Sequence, residues 1–173
     1  MIPLLFAHGG GAGPDDPPAP RLRSLLGPGY AWSAPDLGDP DPAAWSRTLG
    51  SWLTTHPTGA VLIGHSLGGS HLLKCLAEMG PHIQPRGIVA LAPPLWGQPG
   101  WDMADFALPP YAPEALADRP IRLFHGRDDD VVGFDHLAAW GALLPRARLY
   151  PLAGQGHTFD GDLSAVALAV SEL

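Results

Sequence analysis

The sequence predicts an α/β fold: a three-layer α/β/α sandwich in which a mostly parallel sheet of six strands lies between two layers of helices. Short apolar runs alternate with helix-like segments along the whole chain, which is the order of β–α units. Most of these runs are continuously apolar, as in parallel strands that are covered on both faces. The predicted strands are Ile2–Ala7, Tyr30–Ala34, Ala60–Ile63, Gly87–Ala92, Ile121–Phe124 and Arg148–Leu152.

Helix signals fill the intervals between these runs. Asp41 followed by Pro42 is typical of an N-cap and a first helical position, and we expect that helix to stop before Pro57. The proline-rich residues 11–23 predict a loop that leads into a short helix. The other predicted helices are Leu67–Met79, Phe134–Leu144 and Leu163–Leu173.

Composition indicates one globular domain, residues 1–173, with 46% apolar and 16% charged residues. The net charge of −7 argues against nucleic acid and anionic membranes as partners. Cys75 is the only cysteine, so we expect no internal disulfide and a reducing, cytoplasmic compartment. We find neither a signal peptide nor an apolar stretch of membrane-spanning length.

Residues 93–120 interrupt the β–α pattern with seven prolines and four large aromatic residues. Long irregular insertions are usually functional or disordered, and the aromatic content argues against disorder. We interpret the segment as a small cap in which Trp96, Trp101 and Phe106 bind substrate. The alternative, that these rings only pack the insertion onto the domain, stays open.

The most informative motif is Gly64-His65-Ser66-Leu67-Gly68, directly after a predicted strand and before a predicted helix. In that setting a G-x-S-x-G sequence forms a sharp turn that exposes the serine hydroxyl. The glycines are needed because a Cβ at position 64 or 68 would collide with neighbouring backbone. Ser66 is therefore a candidate nucleophile.

A nucleophilic serine needs a base and an acid that orients the base. His157 follows the last predicted strand, and the run Asp128, Asp129 and Asp130 follows the fifth. Spacing from Gly126 favours Asp129 as the acid, with Asp128 as the alternative. A metal site in this run is disfavoured because adjacent residues seldom converge on one ion. The chain order is serine, acid, histidine, as in α/β-hydrolases.

These motifs together resemble a compact α/β-hydrolase, and within that superfamily the chain is similar to small serine hydrolases that include retinoblastoma-binding-protein-like members. The resemblance implies a minimal hydrolase fold with sheet order 2-1-3-4-5-6. It also implies Ser66 as nucleophile, His157 as general base and Asp129 as its orienter. The motifs that carry it are His8-Gly9-Gly10-Gly11, Pro35-Asp36-Leu37-Gly38-Asp39-Pro40-Asp41, Gly64-His65-Ser66-Leu67-Gly68-Gly69, His125-Gly126-x-x-Asp129-x-x-Val132 and Gly156-His157.

Acyl transfer also needs donors for the oxyanion of the tetrahedral intermediate. We expect them to be the backbone N–H groups of Leu67, at the start of the central helix, and of Gly10, in the first glycine-rich loop. A plain glycine-rich turn is the alternative for that loop. A nucleotide site is excluded because no G-x-G-x-x-G follows a strand and no Walker A lysine is present.

The predicted function is therefore a serine hydrolase that cleaves a carboxylic ester or thioester of an uncharged, small to medium acyl group. We expect no cofactor, no metal and a small-molecule ester-type substrate as the partner. Two alternatives remain: a peptidase or amidase that uses the same triad, and a non-catalytic binding protein on a hydrolase fold. The fold resemblance alone does not choose the substrate.

Overall fold

The computed structural model describes residues 1–173, and its centre is one six-stranded sheet in the order β2-β1-β3-β4-β5-β6. This confirms the predicted order. All five strand pairings are parallel, so the sheet is parallel throughout rather than mostly so. The strands are β1 (Ile2–Ala7), β2 (Tyr30–Ser33), β3 (Val61–His65), β4 (Gly87–Leu91), β5 (Ile121–Gly126) and β6 (Arg148–Leu152).

Six α-helices connect or flank the strands, and none is long and apolar enough to cross a membrane. The Asp41 side chain accepts a hydrogen bond from the Ala44 N–H at 2.9 Å, which confirms the predicted N-cap ahead of Pro42. The helices are α1 (Ala19–Leu26), α2 (Pro42–Thr55), α3 (Leu67–Met79), α4 (Ala112–Leu116), α5 (Asp135–Leu143) and α6 (Ser164–Ser171).

Alternate residues of the four inner strands, β1, β3, β4 and β5, pack into two separate hydrophobic cores, one on each face of the sheet. Along β1, Leu5 belongs to the core that is covered by α2, α3, α4 and α5, whereas Leu4 and Phe6 belong to the core covered by α1 and α6. This division explains why the central strands β1, β3 and β4 are almost continuously apolar, because both of their faces are buried.

Two strands run further than their apolar sequences indicate. β3 extends to His65, which pairs with Leu91, and β5 extends to Gly126, which pairs with Leu152. The prediction ended both strands too early because it followed apolar runs, whereas parallel pairing continues through His65 and His125, both buried polar residues.

Parallel pairing brings the loops after all six strands to one edge of the sheet. The turn after β3, the acidic loop after β5 and the loop after β6 therefore converge there. Residues 93–120 also start at this edge, after β4, and contain a short 3₁₀ helix, Ala104–Phe106, followed by α4. This edge is where the candidate site lies.

Candidate active site

Ser66 occupies the turn between β3 and α3 in a strained backbone conformation, with φ 51° and ψ −125°. Such a conformation is uncommon for a residue with a side chain and persists only where the surroundings enforce it. A Cβ on Gly64 would lie 2.6 Å from the backbone nitrogen of Gly69, and one on Gly68 would lie 2.7 Å from the carbonyl carbon of Ala7. The two motif glycines are therefore required by close backbone contacts.

The structure brings Ser66, His157 and Asp129 into one hydrogen-bonded series. The Nε2 of His157 lies 3.0 Å from the Oγ of Ser66, and its Nδ1 lies 2.8 Å from the Oδ2 of Asp129. An ionised carboxylate only accepts, so Nδ1 carries the proton and the unprotonated Nε2 faces the serine hydroxyl. This is the tautomer that a general base needs.

Asp129 is the aspartate that the loop turns inward. Its side chain is fully buried, whereas Asp128 and Asp130 are exposed. The Oδ1 of Asp129 accepts the backbone N–H groups of Val131, at 2.9 Å, and Val132, at 2.8 Å. The geometry therefore favours Asp129 over Asp128 as the partner of the histidine.

The environment of Asp129 keeps it ionised. Burial by itself raises the pKa of Asp129, but hydrogen bonds from His125, His157, Val131 and Val132 outweigh it and hold the pKa well below its usual range. His125 lies at the end of β5 with its Nε2 2.8 Å from the carbonyl of Val132 and 3.4 Å from Asp129 Oδ2. The sequence motif places His125 at the end of a strand but does not indicate its contact with Asp129.

The loop that carries His157 is anchored through Gln155, which sequence analysis missed. The buried Gln155 side chain accepts from the Gly161 N–H at 3.0 Å and donates to the Asp162 carbonyl at 2.9 Å. Its backbone carbonyl accepts the Asp128 N–H at 3.1 Å, which joins the acid loop to the histidine loop. No sequence signal marks this role, since a lone glutamine in a loop is usually exposed.

Gly10, one of the two expected oxyanion donors, packs against the side chain of Leu67, which carries the other. A Cβ on Gly10 would lie 3.3 Å from the Leu67 side chain, and neither the Gly10 nor the Leu67 N–H donates a hydrogen bond within the protein. The Nδ1 of His8 donates to the Gly9 carbonyl at 2.8 Å. The Gly9 carbonyl and the Gly10 N–H belong to one trans peptide group and point in opposite directions. The Gly10 N–H therefore points away from the His8 ring.

The three aromatic residues of the predicted cap occupy different environments. Phe106 is 2% exposed and packs against His71 and Trp45, with ring centroids 5.4 and 6.2 Å away. Trp96 and Trp101 are partly exposed and contact each other at 5.3 Å. None of these ring contacts includes a residue of the Ser66 series, so their substrate-binding role stays a prediction.

A large open cavity lies beside the first loop. It has a volume of about 690 Å³, and its polar lining includes Ser46, Lys74 and Asp105. Pro40 forms one wall and also faces Gly10, since a Cβ there would lie 3.3 Å from the Pro40 ring. The cap aromatics do not line this cavity.

Comparisons with known proteins agree with this architecture. A model of the alpha/beta hydrolase family matches residues 4–170, so the chain belongs to the alpha/beta hydrolase family. No curated protein matches it. The finer resemblance to retinoblastoma-binding-protein-like hydrolases stays a prediction.

Solved structures with the same fold are numerous, at low sequence identity. The product of the ydeN gene of B. subtilis has a TM-score of 0.82 at 20% identity, covering all of both chains. An esterase domain from a Rhodothermus marinus protein has a TM-score of 0.68 at 21% identity, covering 99% of this chain and 84% of that one. A structure from a study of carboxylesterases of the thaumarchaeon Nitrososphaera gargenis has a TM-score of 0.75 at 14% identity, covering 99% of this chain and 92% of that one.

Proposed function

We propose that this protein is a serine hydrolase that cleaves a carboxylic ester or thioester through an acyl-enzyme. The observation that carries the proposal is the continuous series of hydrogen bonds from Asp129 through His157 to Ser66, on a strained elbow at the carboxyl edge of the sheet. Family membership and structural neighbours described as esterases support the same reaction class.

In the first half of the reaction, Ser66 Oγ attacks the carbonyl carbon while His157 Nε2 takes the hydroxyl proton. The ionised Asp129 stabilises the imidazolium that forms. The oxyanion of the tetrahedral intermediate accepts the N–H groups of Leu67 and Gly10, which have no partner within the protein. Collapse of the intermediate expels the alcohol or thiol, which takes the proton from His157, and leaves the acyl group on Ser66.

In the second half, a water molecule attacks the acyl-enzyme carbonyl and gives a proton to the same His157 nitrogen. The second intermediate collapses, Ser66 Oγ takes that proton back, and the carboxylic acid leaves. The neutral enzyme is restored with the proton again on Ser66, so no metal or cofactor is needed for the atoms and charges to balance.

We propose that the acyl group is uncharged and of small to medium size, and that Trp96 and Trp101 contribute to its binding. The Ser66 N–H donates to the Leu91 carbonyl at 2.8 Å, and Leu91 ends β4 two residues before the cap segment begins. The cap therefore starts beside the nucleophile, and both tryptophans keep part of their surface exposed.

The proposal includes a reducing, cytoplasmic setting. Cys75 is a free thiol, buried within α3, and its burial raises the pKa of the thiol to about 12. It is thus an unreactive core residue.

A series of p-nitrophenyl esters of increasing acyl length, with matching thioesters, tests the reaction and the substrate class together. We expect turnover that peaks at short to medium chains and disappears in Ser66→Ala. Turnover that survives this substitution would contradict the nucleophile assignment. Absence of turnover with every ester, thioester and amide tried would favour a non-catalytic binding protein.

A further inference from the structure

His65, the second residue of the elbow motif, contacts the loop of the candidate base. Its ring is 5% exposed and lies 5.0 Å from the His157 ring, measured between centroids. The Nε2 of His65 lies 2.7 Å from the backbone carbonyl oxygen of His157. Because a carbonyl only accepts, His65 Nε2 carries the proton and donates it.

This hydrogen bond is the one that holds the backbone of His157. The N–H of His157 donates no bond within the protein, and its carbonyl has no donor other than His65. The side chain of His157 bonds Ser66 and Asp129, but the position of the ring also depends on the backbone from which it extends. His65 therefore restrains the backbone of His157, which the hydrogen bonds of Ser66 and Asp129 to the ring do not hold directly.

A second contact joins His65 to the same turn. Phe159 has φ 54°, and its N–H donates to the Gly156 carbonyl at 3.3 Å, closing a turn around His157. The Phe159 ring is fully buried and meets the His65 ring edge-on, with centroids 6.1 Å apart. The turn is thus held on His65 both by a hydrogen bond and by packing.

His65 can do this without adding charge next to the base. Burial lowers the pKa of His65 to about 4, so the ring is neutral at neutral pH. A second cation 5.0 Å away would oppose formation of the imidazolium on His157. A neutral donor restrains the turn and avoids that repulsion.

We propose that His65 is a positioning residue for the hydrolysis: its Nε2–H holds the His157 carbonyl and so keeps the His157 imidazole within hydrogen-bond distance of Ser66. This role rests on the proposed function. Displacements of about 1 Å in a catalytic group can cost about 100-fold in rate, so a single backbone restraint next to the base has a measurable effect.

Three substitutions at position 65 test whether an N–H donor at the position of Nε2 is required. His65→Gln places an amide N–H near the position of Nε2, His65→Asn carries the same amide one methylene shorter, and His65→Met fills the volume without a donor. With p-nitrophenyl acetate we expect kcat of the Gln variant within about threefold of the wild type. The Asn and Met variants should lose about tenfold or more in kcat, with KM changed by less than about threefold.

A spectroscopic signal separates positioning from general stability. The low-field proton resonance of the His157 Nδ1–H, which is bonded to Asp129, should be retained in the Gln variant and be shifted or broadened in the Asn and Met variants. His71→Met is the matched control, because His71 is also a buried histidine but lies on α3, where its ring bonds Ser46. We expect it to lower Tm and leave both kcat and the resonance unchanged.

The outcomes are distinguishable. Equal loss of kcat in the Gln, Asn and Met variants would show that the ring rather than the donor matters, and would overturn the proposal. Wild-type kcat with an unchanged resonance in folded Asn and Met variants would overturn it as well. If the Met variant does not fold, the comparison of Gln with Asn decides. Failure of the proposed function itself would appear earlier, as absence of Ser66-dependent turnover in the wild type.

Discussion

Asp129 and His157 are joined by a hydrogen bond of 2.8 Å between Oδ2 and Nδ1, although 27 residues separate them in the chain. The neighbouring Asp128 is exposed and contributes its backbone N–H, which binds the Gln155 carbonyl at 3.1 Å. The side chain of Asp129 therefore binds the histidine of the site, and the backbone of Asp128, the residue before it, connects the acidic loop to the histidine loop.

This division predicts different effects of two conservative substitutions. Asp129→Asn should lower kcat by roughly 10³–10⁴-fold, because an amide neither fixes the required tautomer nor stabilises the imidazolium. Asp128→Asn should leave kcat within about threefold, because its backbone bond is unchanged. Steady-state kinetics of ester hydrolysis checks both predictions, provided that the two variants have similar Tm values. A larger loss of kcat in Asp128→Asn than in Asp129→Asn would assign the acid to position 128.

Gly68 is predicted to be essential for folding of the elbow. In Gly68→Ala the new Cβ would lie 2.7 Å from the Ala7 carbonyl carbon, so β1 and α3 must separate. We expect a loss of about 3 kcal/mol or more in the free energy of unfolding, measured with urea.

Gly29→Ala is the control for Gly68, because a Cβ there has no neighbour within 4 Å and φ is not positive. We expect a change within about 0.5 kcal/mol. Comparable losses in the two variants would contradict the assigned backbone contacts.

Stability should fall as the pH drops from 6.5 toward 4, because burial lowers the pKa of three histidines, His65, His71 and His136. Burial lowers the pKa of His65 and of His71 from 6.5 to about 4. In this window the unfolded chain binds more protons, so the stabilisation is complete above pH 6.5 and decreases on acidification. Each group contributes about 3 kcal/mol at most.

Urea denaturation across this range tests the assignment, with His71→Met as the comparison. We expect the variant to lose less stability than the wild type between pH 6.5 and 4, whatever its absolute stability. Asp129 acts at lower pH: because its pKa is lowered from 3.8 in the folded protein, its contribution is present above that value and is lost below it. Identical pH dependence in the two proteins would contradict the role of His71.

Phe106 and Trp101 should respond differently to truncation. Phe106 is almost fully buried, so Phe106→Ala should cost about 3–5 kcal/mol of stability. Trp101 is partly exposed, so Trp101→Ala should mainly raise KM for the longer acyl chains if the cap binds them. Unchanged KM across the ester series would favour the alternative that the cap aromatics only pack the insertion.

Most of the fold follows from patterns that are local in sequence. The apolar runs predicted all six strands, and Asp41-Pro42 predicted the start of α2. The strand ends were less predictable, because His65 and His125 are polar yet buried, and their side-chain partners are distant in the chain or on a neighbouring loop. Local hydrophobicity carries no information about such partners.

The nucleophile and the base of the candidate site were predictable from the sequence, whereas the choice of the acid and the supporting contacts needed the structure. Ser66 and His157 follow from motif context and chain order, and the structure places their side chains together. The run Asp128 to Asp130 offered three carboxylates, and the conformation of the loop decides which of them faces inward. The partners of His8, His65, His125 and Gln155 were not predictable, because these contacts depend on tertiary structure that single residues do not indicate.

The most direct test of the central claim is labelling of the purified protein with a fluorophosphonate probe, followed by mapping of the modified peptide. We predict a covalent adduct on Ser66 that is lost when the protein is heat-denatured and is absent from His157→Ala. Absence of an adduct on folded protein, or an adduct on another residue, would contradict the assignment of Ser66 as an activated nucleophile.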